Sequence, residues 1–536
     1  MIRQITIINR MSRLLAYLAL SFAPLSTHAD VTLNGVFTDH MILQRDMPVP
    51  VYGTAEPGER VTVAFAGKEK SVVSDKDGKW SVKLDAMKVS TASEAMTVSG
   101  KNKLTLKDIL MGDIWICSGQ SNMEWVLGNC NRPDDLAQAN FPLIRLFQMR
   151  GTVSSSPRTE VTCIPWAPCT PQTVKDFPAV GYYFGRKVHQ ETGVPMGLIR
   201  SAQGGTAIEP WTPYAGLAMV AELAKDKETL DNQFKTYLDQ LAGMQPKFDA
   251  YIAETKKALS GQVEMPVASL ELPSLHPISN NAPQGWNCLY NGYIHPLTRF
   301  AIKGVLWYQG ESNCSNADTY LPKQRALIGS WRKAWNQGDF PFYFVQLANY
   351  GNPTDNPGAD DGGWAKLRMA QLKSLAVPNT GMAVAIELAD LGNPGDVHAK
   401  NKKDVGERLS LWALAKDYGK KNLVHSGPLY KGMKVEGTRI RIAFDSVGSG
   451  LTVATKKGYE PVVKEPQGKL QKFAIAGDDK QWVWADARID GKTVVVSSPG
   501  VSKPVAVRYA FSSNPDGCNL YNNEGLPASP FRTDEW

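Results

Sequence analysis

The amino-acid sequence predicts an α/β protein in which a domain with a parallel sheet is flanked by a β-sandwich-like domain on either side. Three changes of pattern along the chain predict this arrangement. Short alternating strands broken by turns fill residues 30–106, apolar strand-like runs alternate with helical stretches over 107–420, and a strand-rich pattern returns over 421–510. A chain of 536 residues also exceeds what a single hydrophobic core usually serves, which agrees with several domains.

The first 29 residues have the features of an export signal. Three arginines and no acidic residue precede an apolar run at 14–25, and the small-residue sequence Thr27-His28-Ala29 follows it. The run is shorter than the ~20 apolar residues that a membrane span needs. We therefore expect residues 1–29 to be a signal peptide that is removed on export, to the periplasm of a Gram-negative source and otherwise to the medium.

The composition is that of an ordinary globular protein, with 43% hydrophobic and 21% charged residues. The formal net charge is +7, and the charges are dispersed, so we expect no nucleic-acid partner. No segment after residue 29 has the uninterrupted apolar length of a membrane span. The chain has no CxxC pattern and no His-rich tract, so we expect no metal ion. Of the seven cysteines, Cys163 and Cys169 lie in a proline-rich loop and are the first candidates for a disulfide.

Turn residues divide both flanking regions into short strands. Glu56-Pro57-Gly58 and Asp77-Gly78 separate alternating runs in the amino-terminal region, and Asp490-Gly491 separates two runs in the carboxyl-terminal one. This spacing is typical of small antiparallel β-domains. The tail, residues 511–536, is predicted to return to the central domain.

The central region, residues 107–420, contains strand-like segments that are almost wholly apolar. Examples are 114–117, 304–308, 342–345 and 382–386. Such runs indicate strands of a parallel sheet that helices cover on both faces. Near 215–260 apolar residues recur at helical spacing and Pro246 interrupts them, which predicts an inserted αα-hairpin that serves as a lid or brace.

Polar, glycine-containing turns follow four of the predicted strands. They are residues 118–125, 203–206, 309–313 and 390–398. Because the carboxyl ends of parallel strands meet at one edge of a sheet, and ligands bind there, we expect these turns to form one site.

Ser121 and His398 are the candidate nucleophile and base. A serine hydroxyl needs a base to become nucleophilic, and a serine at the start of a helix also lies at its positive end. The alternative is that Ser121 only caps this helix. The base needs an acceptor that fixes its tautomer; Asp396 is the nearest in sequence, with Asp390 or Glu311 as alternatives.

The remaining turns offer donors for an oxyanion and walls for a substrate pocket. The backbone of Ser121 and of Gly205 is expected to donate, together with the side-chain amide of Gln309 or Asn313. For Gly204-Gly205 the alternative is a tight turn without a catalytic role. The expected substrate-binding residues are Gln120, Trp125, Glu209, Trp211 and Glu311, with Trp286 and Trp364 as further candidates for the pocket wall.

At these turns the sequence resembles sialate O-acetylesterases, which are members of the SGNH-type esterase superfamily. The resemblance is carried by GDIWICSGQSNMEW at 112–125, GGTAIEPW at 204–211, LYNGYIHPL at 289–297, GVLWYQGESN at 304–313 and DVH at 396–398. Segments near 41–45, 401–409 and 519–527 extend the resemblance over nearly the whole predicted mature chain.

The resemblance implies a flavodoxin-like α/β/α catalytic domain, no cofactor, and release of acetate from O-acetylated sialic acids. By position, Ser121 matches the nucleophile, His398 the base, and Gly205 and Gln309 the oxyanion donors. The chain departs from the superfamily in one respect: the usual spacing is Asp-x-x-His, whereas Asp396 precedes His398 by two residues.

Two other functions compete with this hypothesis. An esterase that deacetylates xylan or another glycan would have the same catalytic turns, and a non-catalytic carbohydrate-binding protein would account for the β-domains and the aromatic residues. The Ser, His, Gly and Gln set favours an enzyme whose partner is an acetylated sugar. Cys117 is a poorer candidate nucleophile because it lies inside an apolar strand.

Overall fold

The structure, a computed structural model, describes residues 30–261, 285–359, 362–390 and 392–536. The predicted signal peptide at 1–29 lies outside these residues. In the part of the chain that is described, no helix has both the length and the apolar character to cross a bilayer.

The amino-terminal region forms two groups of strands. One sheet has the order β1-β3-β6, and a second group pairs in the order β5-β4-β7-β8. Exposed and buried residues alternate along β6, as expected for a strand with one face in the core. The strands are β1 (Thr32–Leu33), β2 (Ile42–Gln44), β3 (Val49–Thr54), β4 (Arg60–Phe65), β5 (Lys68–Val73), β6 (Lys79–Leu84), β7 (Ser90–Ser99) and β8 (Lys103–Gly119).

Strand β8 joins this region to the central sheet without a break. Its first half pairs antiparallel with β7, and its second half pairs in parallel with two strands of the central sheet. Burial changes within the strand, from alternating over the first six residues to continuous from Ile109 onward. The boundary predicted at 106/107 therefore falls inside one strand, because the change of pattern marks a change of packing environment.

The central sheet is mostly parallel and has the order β10-β9-β11-β8-β12-β13-β14. Only the edge strand β10 runs antiparallel to its neighbour. All residues of β12 and β13 are buried. The strands are β9 (Phe141–Met149), β10 (Cys163–Cys169), β11 (Met196–Ala202), β12 (Gly304–Tyr308), β13 (Phe342–Gln346) and β14 (Thr380–Val384). The fold is thus α/β with a large mixed sheet. Strands β9 and β11 lie on one side of β8 and strands β12 to β14 on the other, so the order in which strands are added reverses at β8.

Helices and single turns connect these strands. The helix Lys402–Lys416 packs on the helix Ala179–Thr192 and on β13 and β14. The α-helices are Ser121–Glu124, Pro133–Ala137, Pro171–Val174, Ala179–Thr192, Tyr214–Leu217, Ala224–Leu259, Tyr320–Trp335, Trp364–Lys373 and Lys402–Lys416. The 3₁₀ and π turns are Leu127–Asn129, Glu209–Trp211, Ala221–Leu223, Tyr290–Ile294, His295–Leu297, Glu311–Thr319 and Ser374–Ala376.

The predicted αα-hairpin is wrong. A single helix, Ala224–Leu259, runs through Pro246. Proline removes one helical hydrogen bond and crowds the preceding turn, but its fixed φ is still helical, so the helix continues where the sequence suggested a break. Leu230 is its one buried residue, and most of the helix faces solvent.

The carboxyl-terminal region forms three sheets of its own, with a separate core that includes Ile440, Ile475 and Val496. The sheet orders are β15-β16-β22-β21, β18-β17-β24 and β20-β19-β23-β25. The strands are β15 (Leu429–Glu436), β16 (Arg439–Asp445), β17 (Leu451–Thr455), β18 (Val463–Lys464), β19 (Phe473–Gly477), β20 (Trp482–Trp484), β21 (Asp486–Asp490), β22 (Thr493–Ser497), β23 (Pro504–Tyr509), β24 (Leu520–Asn522) and β25 (Phe531–Arg532).

The tail, residues 511–536, contacts both neighbouring regions. It adds β24 and β25 to the carboxyl-terminal sheets. It also meets the central domain, where the Arg368 guanidinium donates to the carbonyl of Ser512 and the Gln346 amide donates to the hydroxyl of Ser529.

The predicted disulfide between Cys163 and Cys169 is also wrong. These residues begin and end strand β10, and all seven cysteines are unbridged. Six residues of extended chain span about 20 Å, whereas a disulfide needs Cα atoms within about 7 Å. The prolines that suggested a loop lie in an edge strand, where proline is tolerated.

Candidate active site

The turn after β8 brings Ser121 to the carboxyl edge of the sheet. Gly119 pairs with Ala202 of β11 on one side and with Tyr308 of β12 on the other. Its φ is +132°, and a Cβ atom there would lie 2.1 Å from the Tyr308 carbonyl oxygen. Only glycine permits this approach, and it allows the Gln120 N–H to donate to the same carbonyl at 3.0 Å.

Ser121, His398 and Asp396 form a continuous chain of hydrogen bonds. The Ser121 Oγ lies 2.9 Å from Nε2 of His398, and Nδ1 of His398 lies 2.9 Å from Oδ1 of Asp396. With the Nδ1 proton held by the carboxylate, Nε2 is free to accept the serine proton. The Trp125 ring stacks on the imidazole with centroids 5.0 Å apart.

Of the three carboxylates considered from the sequence, Asp396 is the one that meets the imidazole. The backbone N–H of His398 donates to Asp396 Oδ1 at 2.9 Å, a local turn that is typical of Asp. This turn lets an acid two residues away reach Nδ1. Asp390 instead pairs with Lys400 at 3.0 Å, which lowers its pKa. Glu311 accepts from Asn122, so the structure contradicts both alternatives.

A buried cluster lies behind the serine and the histidine, and the sequence reasoning missed its centre, Asn122. The Asn122 amide donates to Glu311 Oε1 at 2.5 Å and to the carbonyl of Val397 at 2.9 Å. The Lys402 ammonium donates to the Asn122 side-chain oxygen. Asn122 follows Ser121 directly, and Val397 precedes His398, so this residue ties the nucleophile segment to the base segment.

Lys402 and Glu311 are the charged members of this cluster. Lys402 is fully buried, with its ammonium 5.3 Å from the Tyr308 ring and 5.8 Å from the Trp125 ring. Burial lowers the pKa of Lys402 to about 8 and raises the pKa of Glu311. The Glu311 Oε2 atom is buried and has no hydrogen-bond partner within the described residues. Asn401 caps the helix that carries Lys402, through a bond from the Asp404 N–H.

The Gly204–Gly205 turn packs against the other side of Ser121. A Cβ atom on Gly204 would lie 3.5 Å from the Ser121 Cβ. The Gly204 N–H donates to Glu124 Oε2 at 2.8 Å, and Glu124 also binds the Arg200 guanidinium. The Gly204 N–H thus has a structural role, and the donation by Gly205 to an oxyanion stays a prediction.

The backbone N–H of Ser121 is the second predicted oxyanion donor. Across the described ranges it makes no hydrogen bond. The helix that begins at Ser121 is a single turn, Ser121–Glu124, so the helix-dipole contribution expected from the sequence is small. Any stabilisation at this point comes from the N–H group itself.

The amides of Gln309 and Asn313, predicted as oxyanion donors, are used inside the protein. Gln309 is fully buried, and its Nε2 lies 2.8 Å from Asn313 Oδ1, 3.2 Å from the Thr206 carbonyl and 3.2 Å from Gln120 Oε1. The Asn313 amide donates to Glu209 at 2.9 Å. Both side chains therefore hold the 206–209 turn, and the structure contradicts the predicted contact with an oxyanion.

Most of the predicted pocket residues also support this turn. Trp211 is fully buried, with its indole N–H donating to Thr206, because the turn folds inward over a core of aromatic rings. Gln120 is buried, and Glu209 pairs with Lys323 at 2.6 Å. Trp211 and Gln120 are therefore enclosed by the protein, while the predicted contact of Glu209 with substrate stays a prediction. Among the described residues, the half-buried Trp125 is the aromatic residue that stacks on His398.

The other two tryptophans lie elsewhere. Trp364 is buried and stacks on Tyr350, while Trp286 lies beside Lys225 and Leu230 of the long helix. Cys117, the alternative nucleophile, is fully buried, and burial raises the pKa of its thiol.

Comparison with known proteins gives a consistent result. The family model described as "carbohydrate esterase, sialic acid-specific acetylesterase" matches residues 111–244 and 280–415, which include all four turns. The sialate O-acetylesterase of Rattus norvegicus is 30% identical, covering 92% of this chain and 92% of its own length. That of Homo sapiens is 30% identical over 92% of this chain and 90% of its own.

A solved structure is similar over nearly the whole chain. A carbohydrate acetylesterase from Xanthomonas citri shares 35% sequence identity and superposes with a TM-score of 0.77. The match covers 94% of this chain and 100% of that chain.

Proposed function

The chain belongs to the carbohydrate esterase family of sialic acid-specific acetylesterases, and from this we propose that it hydrolyses O-acetyl esters of sialic acids through a serine acyl-enzyme. The observation that carries the proposal is the unbroken Ser121–His398–Asp396 chain, with 2.9 Å between each pair of polar atoms. This geometry meets the requirement for an activated nucleophile and an oriented base.

In the first half of the reaction, the Ser121 Oγ attacks the acetyl carbonyl carbon while His398 Nε2 takes the hydroxyl proton. Asp396 stabilises the imidazolium that forms. The negative charge on the carbonyl oxygen is stabilised by the N–H groups of Ser121 and Gly205. Collapse of this intermediate breaks the bond to the sugar oxygen, which receives the proton from His398, and leaves the acetyl group on Ser121.

In the second half, water attacks the acetyl-serine and gives a proton to His398. Collapse breaks the bond between the Ser121 oxygen and the acetyl carbon, the imidazolium returns its proton to Ser121, and acetate leaves. The buried Asn122 cluster holds the serine and histidine segments at a fixed distance throughout, which is the positioning that such reactions require.

We assign the central domain to the flavodoxin-like α/β/α, SGNH-type arrangement. The reversal of strand order at β8 and the placement of the candidate triad at the carboxyl edge support this assignment. We also propose that residues 1–29 direct export and are then removed. Amino-terminal sequencing of the protein recovered from outside the cytoplasm tests this, and an intact Met1 would contradict it.

Acetate release tests the proposed activity. O-acetylated sialic acids and acetylated xylo-oligosaccharides are assayed side by side with wild type, Ser121→Ala and a control, Ser81→Ala, at an exposed serine of β6. We expect turnover of the sialic acids, loss of at least ~10³-fold in Ser121→Ala, and no change in the control. Turnover by Ser121→Ala would exclude the serine mechanism, and a preference for the xylo-oligosaccharides would exclude the proposed substrate.

A further inference from the structure

A second charged region lies two strands away from Ser121, at the same edge of the sheet. Gln148 of β9 pairs with Arg200 of β11, and Ala202 of β11 pairs with Gly119 of β8. The ladder continues beyond β9, where the Arg150 N–H donates to the Thr162 carbonyl at 2.8 Å. Extending the register of β9 and β11 by two residues sets the Arg150 backbone opposite Ala202, and therefore about 10 Å from Gly119, since neighbouring strands are ~4.8 Å apart.

A row of polar contacts leads from the nucleophile to this region. Beside Ser121, the Gly204 N–H donates to Glu124, Glu124 binds Arg200, and Arg200 donates to the Gln148 amide oxygen at 3.1 Å. Arg150 follows the last residue of β9, Met149, and if the alternation of the strand continues by one residue, its side chain lies on the face of Gln148.

Both arginines act on one buried phenol. Burial and the Glu124 carboxylate raise the pKa of Tyr293, and the guanidinium groups of Arg200 and Arg150 oppose that rise. The Tyr293 hydroxyl donates to Gln203 at 2.9 Å, and Gln203 precedes the turn that packs on Ser121. Two cations thus lie around a hydroxyl that is anchored next to the catalytic turn.

The charges of this region do not cancel. Glu124 neutralises Arg200, but Arg150 is exposed and makes no ion pair or side-chain hydrogen bond with any described residue. The Arg200 Nε–H is buried and likewise has no partner among the described residues. On the opposite side of Ser121 lies the Asp396 carboxylate, which is hydrogen-bonded to His398. The site is therefore positive towards Arg150 and negative towards His398.

We propose that Arg150, backed by Arg200, binds the carboxylate of the sialic acid while the acetyl group lies at Ser121. This subsite rests on the proposed function. A sialic acid carries an ionised carboxylate at neutral pH, and a guanidinium is the side chain best suited to bind it through two hydrogen bonds. The polarity of the site directs that carboxylate towards Arg150, and neutral acetylated sugars gain nothing from this contact.

The test compares substrates that differ only in charge. An O-acetylated N-acetylneuraminic acid, its methyl ester and the chromogenic 4-nitrophenyl acetate are assayed with wild type, Arg150→Gln and Arg150→Lys. A charge-assisted hydrogen bond contributes about 1.5–3 kcal/mol, or roughly 10- to 100-fold. We expect wild type to favour the free acid over the methyl ester by that factor, chiefly in KM.

In Arg150→Gln this preference disappears while hydrolysis of 4-nitrophenyl acetate is unchanged, and Arg150→Lys retains part of it. Arg60→Gln, at an exposed arginine of β4, is the matched control and keeps the wild-type preference. If wild type hydrolyses the free acid and its methyl ester equally well, the carboxylate subsite is wrong and the proposed function stands. If wild type hydrolyses only 4-nitrophenyl acetate, the proposed substrate itself is wrong.

Discussion

Two oppositely charged pairs flank the nucleophile, and they are built differently. On the histidine side, Glu311 and Lys402 are joined through the Asn122 amide, and Lys402 is fully buried. On the glycine side, Glu124 and Arg200 are in direct contact, with side chains 28% and 14% exposed. The Glu311 and Lys402 pair lies behind the reacting groups, whereas the Glu124 and Arg200 pair is partly exposed to solvent.

This difference separates two tasks. The buried pair has no water to compensate for a lost partner, so each member depends strongly on the other. It fixes the distance between Ser121 and His398 and the charge that His398 experiences. The half-open pair holds the Gly204 turn and leads to the exposed Arg150, where a substrate is recognised. We therefore predict that substitutions on the two sides differ in the size of their effect and in the property that they change.

The largest effect is expected when the buried pair is broken. Lys402→Met leaves the Glu311 carboxylate buried without a cation, which costs about 3–5 kcal/mol. We expect a lower free energy of unfolding in urea and a fall in kcat of roughly 100-fold. The double variant Lys402→Met/Glu311→Gln removes both charges and should recover a large part of each loss. A double variant no better than Lys402→Met would show that the two side chains do not act as a pair.

A smaller effect is expected on the glycine side. Glu124→Gln keeps an oxygen acceptor for the Gly204 N–H but removes the charge, and charged hydrogen bonds are about twice as strong as neutral ones. We expect kcat for 4-nitrophenyl acetate to fall about tenfold with a small change in stability. Glu191→Gln is the control, since its carboxylate pairs with Lys187 at the surface, and it should change neither. A fall in kcat as large as that expected for Lys402→Met would contradict the proposed difference between the two pairs.

The smallest effect, and the most diagnostic, is expected in the pH dependence. His398 faces Asp396, the Trp125 ring, Glu311 and, behind that ring, Lys402. A general base must be unprotonated to accept the serine proton, so activity falls at low pH. Because the Glu311 carboxylate stabilises positive charge close to it, Glu311→Gln is expected to move the acidic limb of kcat/KM to lower pH. Lys402→Met moves it to higher pH.

Each of these shifts is expected to be under ~1 pH unit, which corresponds to about 1.4 kcal/mol. Glu124→Gln should leave the limb in place. Shifts in the same direction for Glu311→Gln and Lys402→Met would mean that both residues act only through the fold.

The burial of Lys402 also predicts a pH window for the stability of the cluster. The Lys402 pKa is about 8, against a usual value of 10.5. Between these values the unfolded chain binds more protons than the folded protein, so this group makes the free energy of unfolding rise with pH. Wild type should gain stability relative to Lys402→Met between about pH 8 and 10.5, as measured by urea unfolding in that range.

The candidate catalytic turns were predictable because they depend on local sequence pattern and on the rule that parallel strands end at the same edge of a sheet. Apolar runs followed by glycine-containing polar turns identify strand ends, and parallel strands bring those ends together, so Ser121 and His398 were found without coordinates. The Asp396 contact is also local, since a turn from the His398 N–H sets it. Even so, the sequence left three candidate acids, because spacing alone does not show that Asp390 and Glu311 have other partners.

Other features depended on what surrounds each residue. Gln309 and Trp211 stand in the expected turns, but whether they face the site or the interior is decided by packing against Tyr320 and Thr206. Pro246 and the pair Cys163 and Cys169 were misread because proline disfavours a helix interior or a strand without excluding either, and cysteine spacing does not show whether the segment between the two residues is extended.

The sequence alone determined the fold class, the positions of the strands along the chain and the residues at the strand ends. Hydrophobic periodicity and turn chemistry act between near neighbours, so a sequence pattern reveals them. Only the tertiary structure decided how Asn122 meets Lys402, 280 residues away, and how Arg150 is placed relative to Ser121. Such contacts arise when elements distant in sequence pack together and exclude water. The exclusion of water sets the strength of the electrostatic interactions of a buried charge, and the neighbouring residues in the chain do not reveal it.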